Sequence, residues 1–316
     1  MAQLVMVGAC YVDTILSVDH YPGEDEKLRA SSLNRRRGGN CPNSLEVLQQ
    51  LVHHSQTDLS LSLISVFPKC ESDSTTFIRQ SLGSSINCDG CIYRQDHTEP
   101  ASSYVIHSQK TNSRTIVNYN DLSEMTFEEF ESCIGRVQLP ANCWFHFEGR
   151  IPDTTLECIL FLREHHPSVM ISVELEKPGR PGLEKLAAEA DLVFYAKGWA
   201  QASGYRSMEE CLQSQSQATP KSKYLCCTWG ENGAALLTKF NNSCISVPAL
   251  KISEFEIVDT IGAGDTFIAG IFFGLLCHND DWNWTRKLRF ANELAGRKVI
   301  QNGFQGLGSV MTHHME

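Results

Sequence analysis

The sequence is short of positive charge. Its 316 residues carry 27 Lys and Arg against 37 Asp and Glu, a formal net charge of −10. Partners held by phosphate-backbone electrostatics, nucleic acid and anionic membrane among them, are therefore not expected. Long hydrophobic runs are also missing. The most apolar stretch, Phe267 to Cys277, covers about half of the roughly 20 residues a bilayer-spanning helix needs. The amino terminus MAQLVMVGACYVD has no basic flank and meets Asp13 early, which fits a buried first strand rather than a secretory leader, and a cytoplasmic protein. No GxGxxG follows that strand, so a nicotinamide-dependent oxidoreductase built on that fingerprint is excluded. Ordered cysteine spacing is absent too. The thirteen cysteines are scattered, unlike a disulfide framework, and reduced thiols are expected. The one CxxC, Cys88 to Cys91, has no second Cys or His pair at zinc spacing and reads as structural; no protein-held metal site is expected.

What is present is a globular composition, 42% apolar and 20% charged. Short apolar runs, LVMVGA (4–9), LSLISVF (61–67), CWFHFEG (143–149), VMISVEL (169–175), DLVFYA (191–196) and YLCCTW (224–229), read as strands. Several are apolar on every side, as strands of a covered parallel sheet must be. Helical patterns lie between them, including 41–52, 153–166, 182–190, 207–215, 266–277 and 285–300. Strand alternating with helix predicts an α/β fold with a doubly wound, mostly parallel sheet flanked by helices. Residues 13–38 and 102–120 instead alternate polar and apolar positions, as half-buried antiparallel strands do. They predict a small antiparallel β lid, contributed by about 13–38 and 100–120, on a single domain spanning 1–316. The segments 53–60 and 214–223 read as polar loops.

The most informative segment is FEIVDTIGAGDTFIAGIFFGLL (255–276). It reads as a short strand, a glycine-bearing turn at Gly262, Ala263 and Gly264, and Asp265 opening an apolar helix. Glycine permits close backbone approach, and the amides and dipole of a helix start favour an anion. Asp265 has two readings here: a helix N-cap, or a base that takes a proton from a substrate hydroxyl beside a phosphate-cradling loop. In RRGGNCPNSLEVL (36–48), Asn43 likewise reads either as a capping residue or as a ligand contact.

The ordered string DTIGAGDTF, together with RRGGNCPNSLEVL about 220 residues earlier, resembles the two signatures of the PfkB (ribokinase-like) carbohydrate kinase family. Segments similar to its ketohexokinase branch run along most of the chain: YVDTILSVDHYPGEDEKLR (11–29), NSRTIVNYN (112–120), HFEGR (146–150), ISVELEKP (171–178) and GFQGLG (303–308). The resemblance implies a ribokinase-like fold and transfer of phosphate from ATP to a primary hydroxyl of a small sugar, fructose being the best single guess. It implies that Asp13, Gly39, Asn40 and Asn43 contact the sugar and that Asp265 is the base. Gly262, Ala263 and Gly264 would form the anion hole. Arg114 would reach the phosphates from the lid, and Gly230, Glu231, Asn232 and Gly233 of the WGENG turn would border the adenine and ribose. It further implies nucleotide-bound Mg²⁺, room for a K⁺ requirement, and a homodimer formed through the lid.

The residues alone leave alternatives at several of these positions. Asp13 could simply end a strand in a turn, Arg114 could be a solvated charge, and the WGENG glycines could only turn a hairpin. The Asn and Glu that organise metal-bound water in many ribokinase-like members are replaced by Lys197, Gly198, Trp199 and Ala200. Pro42 and VFPKCESD (66–73) depart from the family pattern near the sugar side. Those departures leave open another sugar or a nucleoside as acceptor, or a catalytically silent sugar- or nucleotide-binding regulator.

Overall fold

A computed structural model describes residues 2–111, 113–136 and 139–315. Asn112, which opens the NSRTIVNYN segment, lies outside the described residues. The chain begins with β1 (Ala2–Val7), then β2 (Tyr11–Val18), β3 (Ser32–Gly38), β4 (Leu59–Ile64), β5 (Val66–Pro68), β6 (Ile86–Asn87) and β7 (Ile92–Arg94). It continues with β8 (Ala101–Ser108), β9 (Ser113–Tyr119), β10 (Cys143–Glu148), β11 (Met170–Leu175), β12 (Leu192–Tyr195), β13 (Tyr224–Thr228), β14 (Ala234–Thr238) and β15 (Ser243–Val247). Nine of these strands form the central sheet in the order β15-β14-β13-β12-β11-β10-β1-β4-β6. It is parallel from β6 to β13, and β14 and β15 close one edge as antiparallel hairpins. The strand order reverses at β1, between β4 and β10. In open α/β sheets the crevice at such a reversal, at the carboxyl ends of the strands, is where ligands bind.

Alternation along the strands sends side chains to both faces, and two apolar clusters result. Leu4, Met6, Leu61, Leu63, Phe194 and Leu236 pack under the helices Asn40–Ser55, Ala263–Leu276 and Trp284–Val299. Val5, Val7, Phe145, Phe147, Val173 and Leu225 meet helices Phe127–Ile134, Pro152–His165 and Met208–Ala218 on the other face. The Ala263–Leu276 helix is buried from Asp265 through Leu275, which explains its lack of a polar face.

A second sheet, in the order β3-β2-β8-β9, is formed by the segments expected to make a lid. Its two hairpins are antiparallel, and they join through a parallel β2–β8 pair. The period of two places Asp13, Arg36, Ser103, Val105, Arg114, Ile116 and Asn118 on one face and Leu33, Tyr104, Val117 and Tyr119 on the other. The polar segments 53–60 and 214–223 are not plain loops. Helices continue to Ser55 and Ala218, and β4 starts at Leu59, because Ser and Gln on a solvated helix face leave the apolar stripe intact.

Candidate functional site

Two cavities open above the sheet and meet at one loop. The first, of about 570 Å³, is lined by Asp13, Gly39, Asn40, Asn43, Glu148, Glu174, Glu176, Arg150 and the lid residues Val105, Ile116 and Asn118. The second, of about 720 Å³, is lined by Gly230, Glu231, Gly233, Leu250, Ile257, Phe267, Asn292 and Val299. Thr228, Thr260, Ala263 and Gly264 belong to both, so the glycine loop is the partition between them.

Gly262 precedes the helix at φ +79°, and a Cβ there would lie 2.4 Å from the Phe304 ring. Glycine is therefore required for both conformation and space. The helix cap is Gly262, with no side-chain cap bond; Asp265 is not an N-cap. Its carboxylate instead accepts from Asn43 Nδ2 at 2.8 Å, and its carbonyl accepts from Ser44 Oγ at 2.9 Å. The Ala263 N–H turns back to the Thr260 carbonyl at 3.3 Å. That leaves the first-turn amides of Gly264 and Asp265, which have no acceptor within their own helix, to meet an anion.

Asp265 is only 7% exposed. Burial, with the negative charges of Glu176 and Glu148 and against the Asn43 hydrogen bond and Arg37, pushes its carboxyl up to about 7. Asn43 is itself oriented, since its Oδ1 accepts from Arg37 Nη1 at 3.0 Å and Arg37 is paired with Glu46. A relay Glu46–Arg37–Asn43–Asp265 thus links β3, the helix Asn40–Ser55 and the glycine loop. The turn into that helix passes through Gly39 at φ +106°, where a Cβ would lie 2.1 Å from the Ala9 carbonyl oxygen. Asn40 lines the first cavity, with its amide donating to Glu174 and Glu176 at 3.1 Å each. Burial and the neighbouring carboxylates raise Glu174 well above the usual range. Glu148, also raised mainly by burial, accepts the Ala9 N–H at 2.9 Å.

Asp13 lies in the first cavity, 3.6 Å from Arg36 Nε. Arg36 and Arg114, from opposite edges of the lid sheet, converge on Asp259, at 3.0 and 3.4 Å. Lys298 joins them at 3.0 Å. Burial works to raise the Asp259 carboxyl, but the Lys298 hydrogen bond and charge, with Arg36, outweigh it and hold it at about 2. Arg114 thus reaches the start of the DTIGAGD loop from the lid. Asp259 and Asp13 hold two negative charges against the three positive ones of Arg36, Arg114 and Lys298, and that surplus lies beside the glycine loop.

At the far end of the second cavity the WGENG turn joins β13 to β14 as a hairpin, and Gly230, Glu231 and Gly233 line the wall while Asn232 does not. Glu231 pairs with Lys197 at 3.2 Å. Among the described residues no group of three or more His, Cys, Asp or Glu side chains is placed to hold a metal ion, and no helix is long and apolar enough to cross a membrane.

The sequence reading assigned no role to Arg36, Arg37, Glu46, Glu148, Glu174, Glu176 or Asp259. Glu148, Glu174 and Glu176 stand in the segments HFEGR and ISVELEKP, and the position of each near a strand's carboxyl end was the signal that could have marked them. Nothing local to Arg36 or Arg37 distinguishes them from a solvated basic run.

With this geometry, the comparisons with known proteins are unambiguous about class. The sequence matches the pfkB family carbohydrate kinase over residues 1–307, and the chain belongs to that family. It is 30% identical to a ketohexokinase from Mus musculus, covering 96% of this chain and 98% of that protein. Among solved structures it resembles a putative ribokinase from Agrobacterium tumefaciens, with a TM-score of 0.77 at 16% identity, over 99% of this chain and 98% of the other. It also resembles an Arabidopsis thaliana ribokinase complexed with ribose and ATP, with a TM-score of 0.76 at 18% identity, covering 96% and 94%. The fold is ribokinase-like, and the protein is a carbohydrate kinase of this family.

Proposed function

We propose that this kinase transfers phosphate from ATP to a primary hydroxyl of a ketohexose such as fructose, with Asp265 as general base. The observation that carries the proposal is the buried Asp265 carboxyl, pushed up to about 7 on the partition between the two cavities. Such a group is half ionised near neutrality and therefore matched to accepting a hydroxyl proton. The sugar occupies the cavity of Asp13, Gly39, Asn40 and Asn43, and the nucleotide the cavity bordered by the WGENG turn. Resting against Asp259, Arg114 is within the lid face that covers this junction and supplies positive charge to the triphosphate. The amides of Gly264 and Asp265 face the transferring phosphoryl group and offset its charge as attack proceeds in line. Mg²⁺ arrives with the nucleotide phosphates, whose oxygens suit a hard divalent cation. The ketose preference rests on the likeness to ketohexokinase. The molecule acts as one domain whose lid excludes water from the junction, and the lid also pairs with that of a second copy through its outer face.

The test is ADP production with ATP, Mg²⁺ and K⁺ against ketoses, aldoses and nucleosides, for the native chain and Asp265→Asn. Ketose-dependent turnover that the variant lacks supports the proposal. Turnover confined to an aldose or nucleoside moves the substrate elsewhere in the family. Ligand-induced thermal shifts without any turnover would make the chain a binding protein.

A further inference from the structure

Cys88 and Cys91 stand at the two ends of the turn between β6 and β7. The Cys91 N–H donates to the Cys88 carbonyl at 3.0 Å. That is the bond of a β-turn, which holds its end Cα atoms within about 7 Å, overlapping the ~4.4–6.8 Å a disulfide spans. The two thiols are near enough to act on each other's titration, and Cys88 Sγ lies 3.8 Å from the Ile86 carbonyl. The turn is also fixed in place: the Asp89 N–H donates to Asn87 Oδ1 at 2.7 Å, the Ile92 N–H to the Ser65 carbonyl at 2.9 Å, and Cys133 Sγ reaches the Gly90 carbonyl at 3.1 Å.

The two sulfurs differ in their surroundings. Cys91 is 5% exposed, with its Sγ 3.3 Å from the Leu63 carbonyl. Burial pushes that thiol well up. Cys88 is only half-buried, and the neighbouring Cys91 thiol, aided by Arg79 and opposed by burial, draws its thiol down. This is the arrangement of an accessible attacking thiol with a protected partner behind it. A second pair of neighbouring thiols is Cys211 and Cys227, where Cys211 helps to raise the Cys227 thiol. Both of its members are fully buried, so it has the proximity without the access.

We infer that Cys88 and Cys91 form a redox-active dithiol, a reversible modification site that small-molecule disulfides such as oxidised glutathione convert to an internal disulfide. The Cys88 thiolate attacks one sulfur of the small disulfide, whose S–S bond breaks and releases one thiolate, leaving a mixed disulfide on Cys88. The released thiolate takes the Cys91 proton. The Cys91 sulfur then attacks Cys88 Sγ and expels the second small thiolate, which is protonated by solvent. Two protein thiols are oxidised and one small disulfide is reduced to two thiols. Excess small thiol drives the same steps backwards.

The experiment is incubation of the folded, reduced full chain with oxidised glutathione, followed by alkylation of remaining thiols and mass spectrometry of the peptide holding both residues. The expected result is a peptide that has lost two hydrogens and escapes alkylation, that is recovered by dithiothreitol, and that forms while Cys211 and Cys227 stay alkylatable only after unfolding. Cys91→Ser should stop at a stable glutathione adduct on Cys88, and Cys88→Ser should leave Cys91 unmodified. Thermal melting of both variants establishes that they are folded. A lasting glutathione adduct on Cys88 in the native chain, pairing of Cys88 with another cysteine, or alkylation of both thiols undiminished by the oxidant would each overturn the inference.

Discussion

Asp265 pits activity against stability. Its carboxyl is raised from 3.8 to about 7 by burial, so between those values the folded chain holds a proton that the unfolded chain has released. Stability from this group is therefore full below about 3.8, falls as pH rises from there to about 7, and levels off above it, the reverse of the usual carboxylate. Asp265→Asn keeps an acceptor for Asn43 and removes the buried charge. Turnover should fall by roughly 10²–10⁴-fold, while denaturant titration above pH about 7 should find the variant more stable by about 1–3 kcal/mol. A variant that is both active and no more stable would contradict the role and the electrostatics together. Asn43→Ala is the complementary change. Its hydrogen bond holds the Asp265 carboxyl down, so its loss should move the basic rise of the pH–rate profile to higher pH. An unchanged profile would detach Asn43 from the base. Neither effect follows from the motif alone, because Asn43 and Asp265 are 222 positions apart.

Among the elements, the loop and helix of residues 262–276 make the sharpest demands. Gly262→Ala meets the Phe304 ring at 2.4 Å with φ at +79°, and overpacking with left-handed strain should cost about 2–4 kcal/mol. Gly264 has open space where its Cβ would fall, so Gly264→Ala should fold normally, with a thermal midpoint near that of the native chain, and should lose turnover through crowding of the partition. Equal destabilisation by both substitutions would argue against this geometry. The elements themselves were mostly legible, since a strand between two helices is apolar on both faces and a helix repeats every 3.6 residues. The polar ends of the helices at Ser55 and Ala218 were not. Nor were β6 and β7, of two and three residues, which are too short to show alternation.

Across the whole molecule, the four-stranded sheet has two different faces. Val105 is buried and lines the first cavity, whereas Val117 is 61% exposed on the outer face with Leu33, Tyr104 and Tyr119. Apolar surface in that arrangement suits pairing with another copy. Val117→Glu should convert a lid-paired dimer to monomer in light scattering while leaving sugar-independent ATP binding intact. A native chain that is already monomeric at micromolar concentration, or a variant dimer as stable as the native one, would remove lid pairing from the description.

The order of strands and helices, and the glycine and aspartate loop that opens the most apolar helix, were determined by the sequence by itself, because periodicity and turn chemistry act over a few neighbouring residues. The family was legible for a related reason: DTIGAGDTF and RRGGNCPNSLEVL are contiguous strings. Only the tertiary structure decided that Asp265 is a helix N3 residue with a raised proton affinity, that Asn40 bridges Glu174 and Glu176, and that Arg36 and Arg114 from opposite lid edges share Asp259. Each of these depends on polar and charged groups brought together from distant strands around buried carboxylates. Their energy depends on separation and burial, which no local pattern of residues encodes.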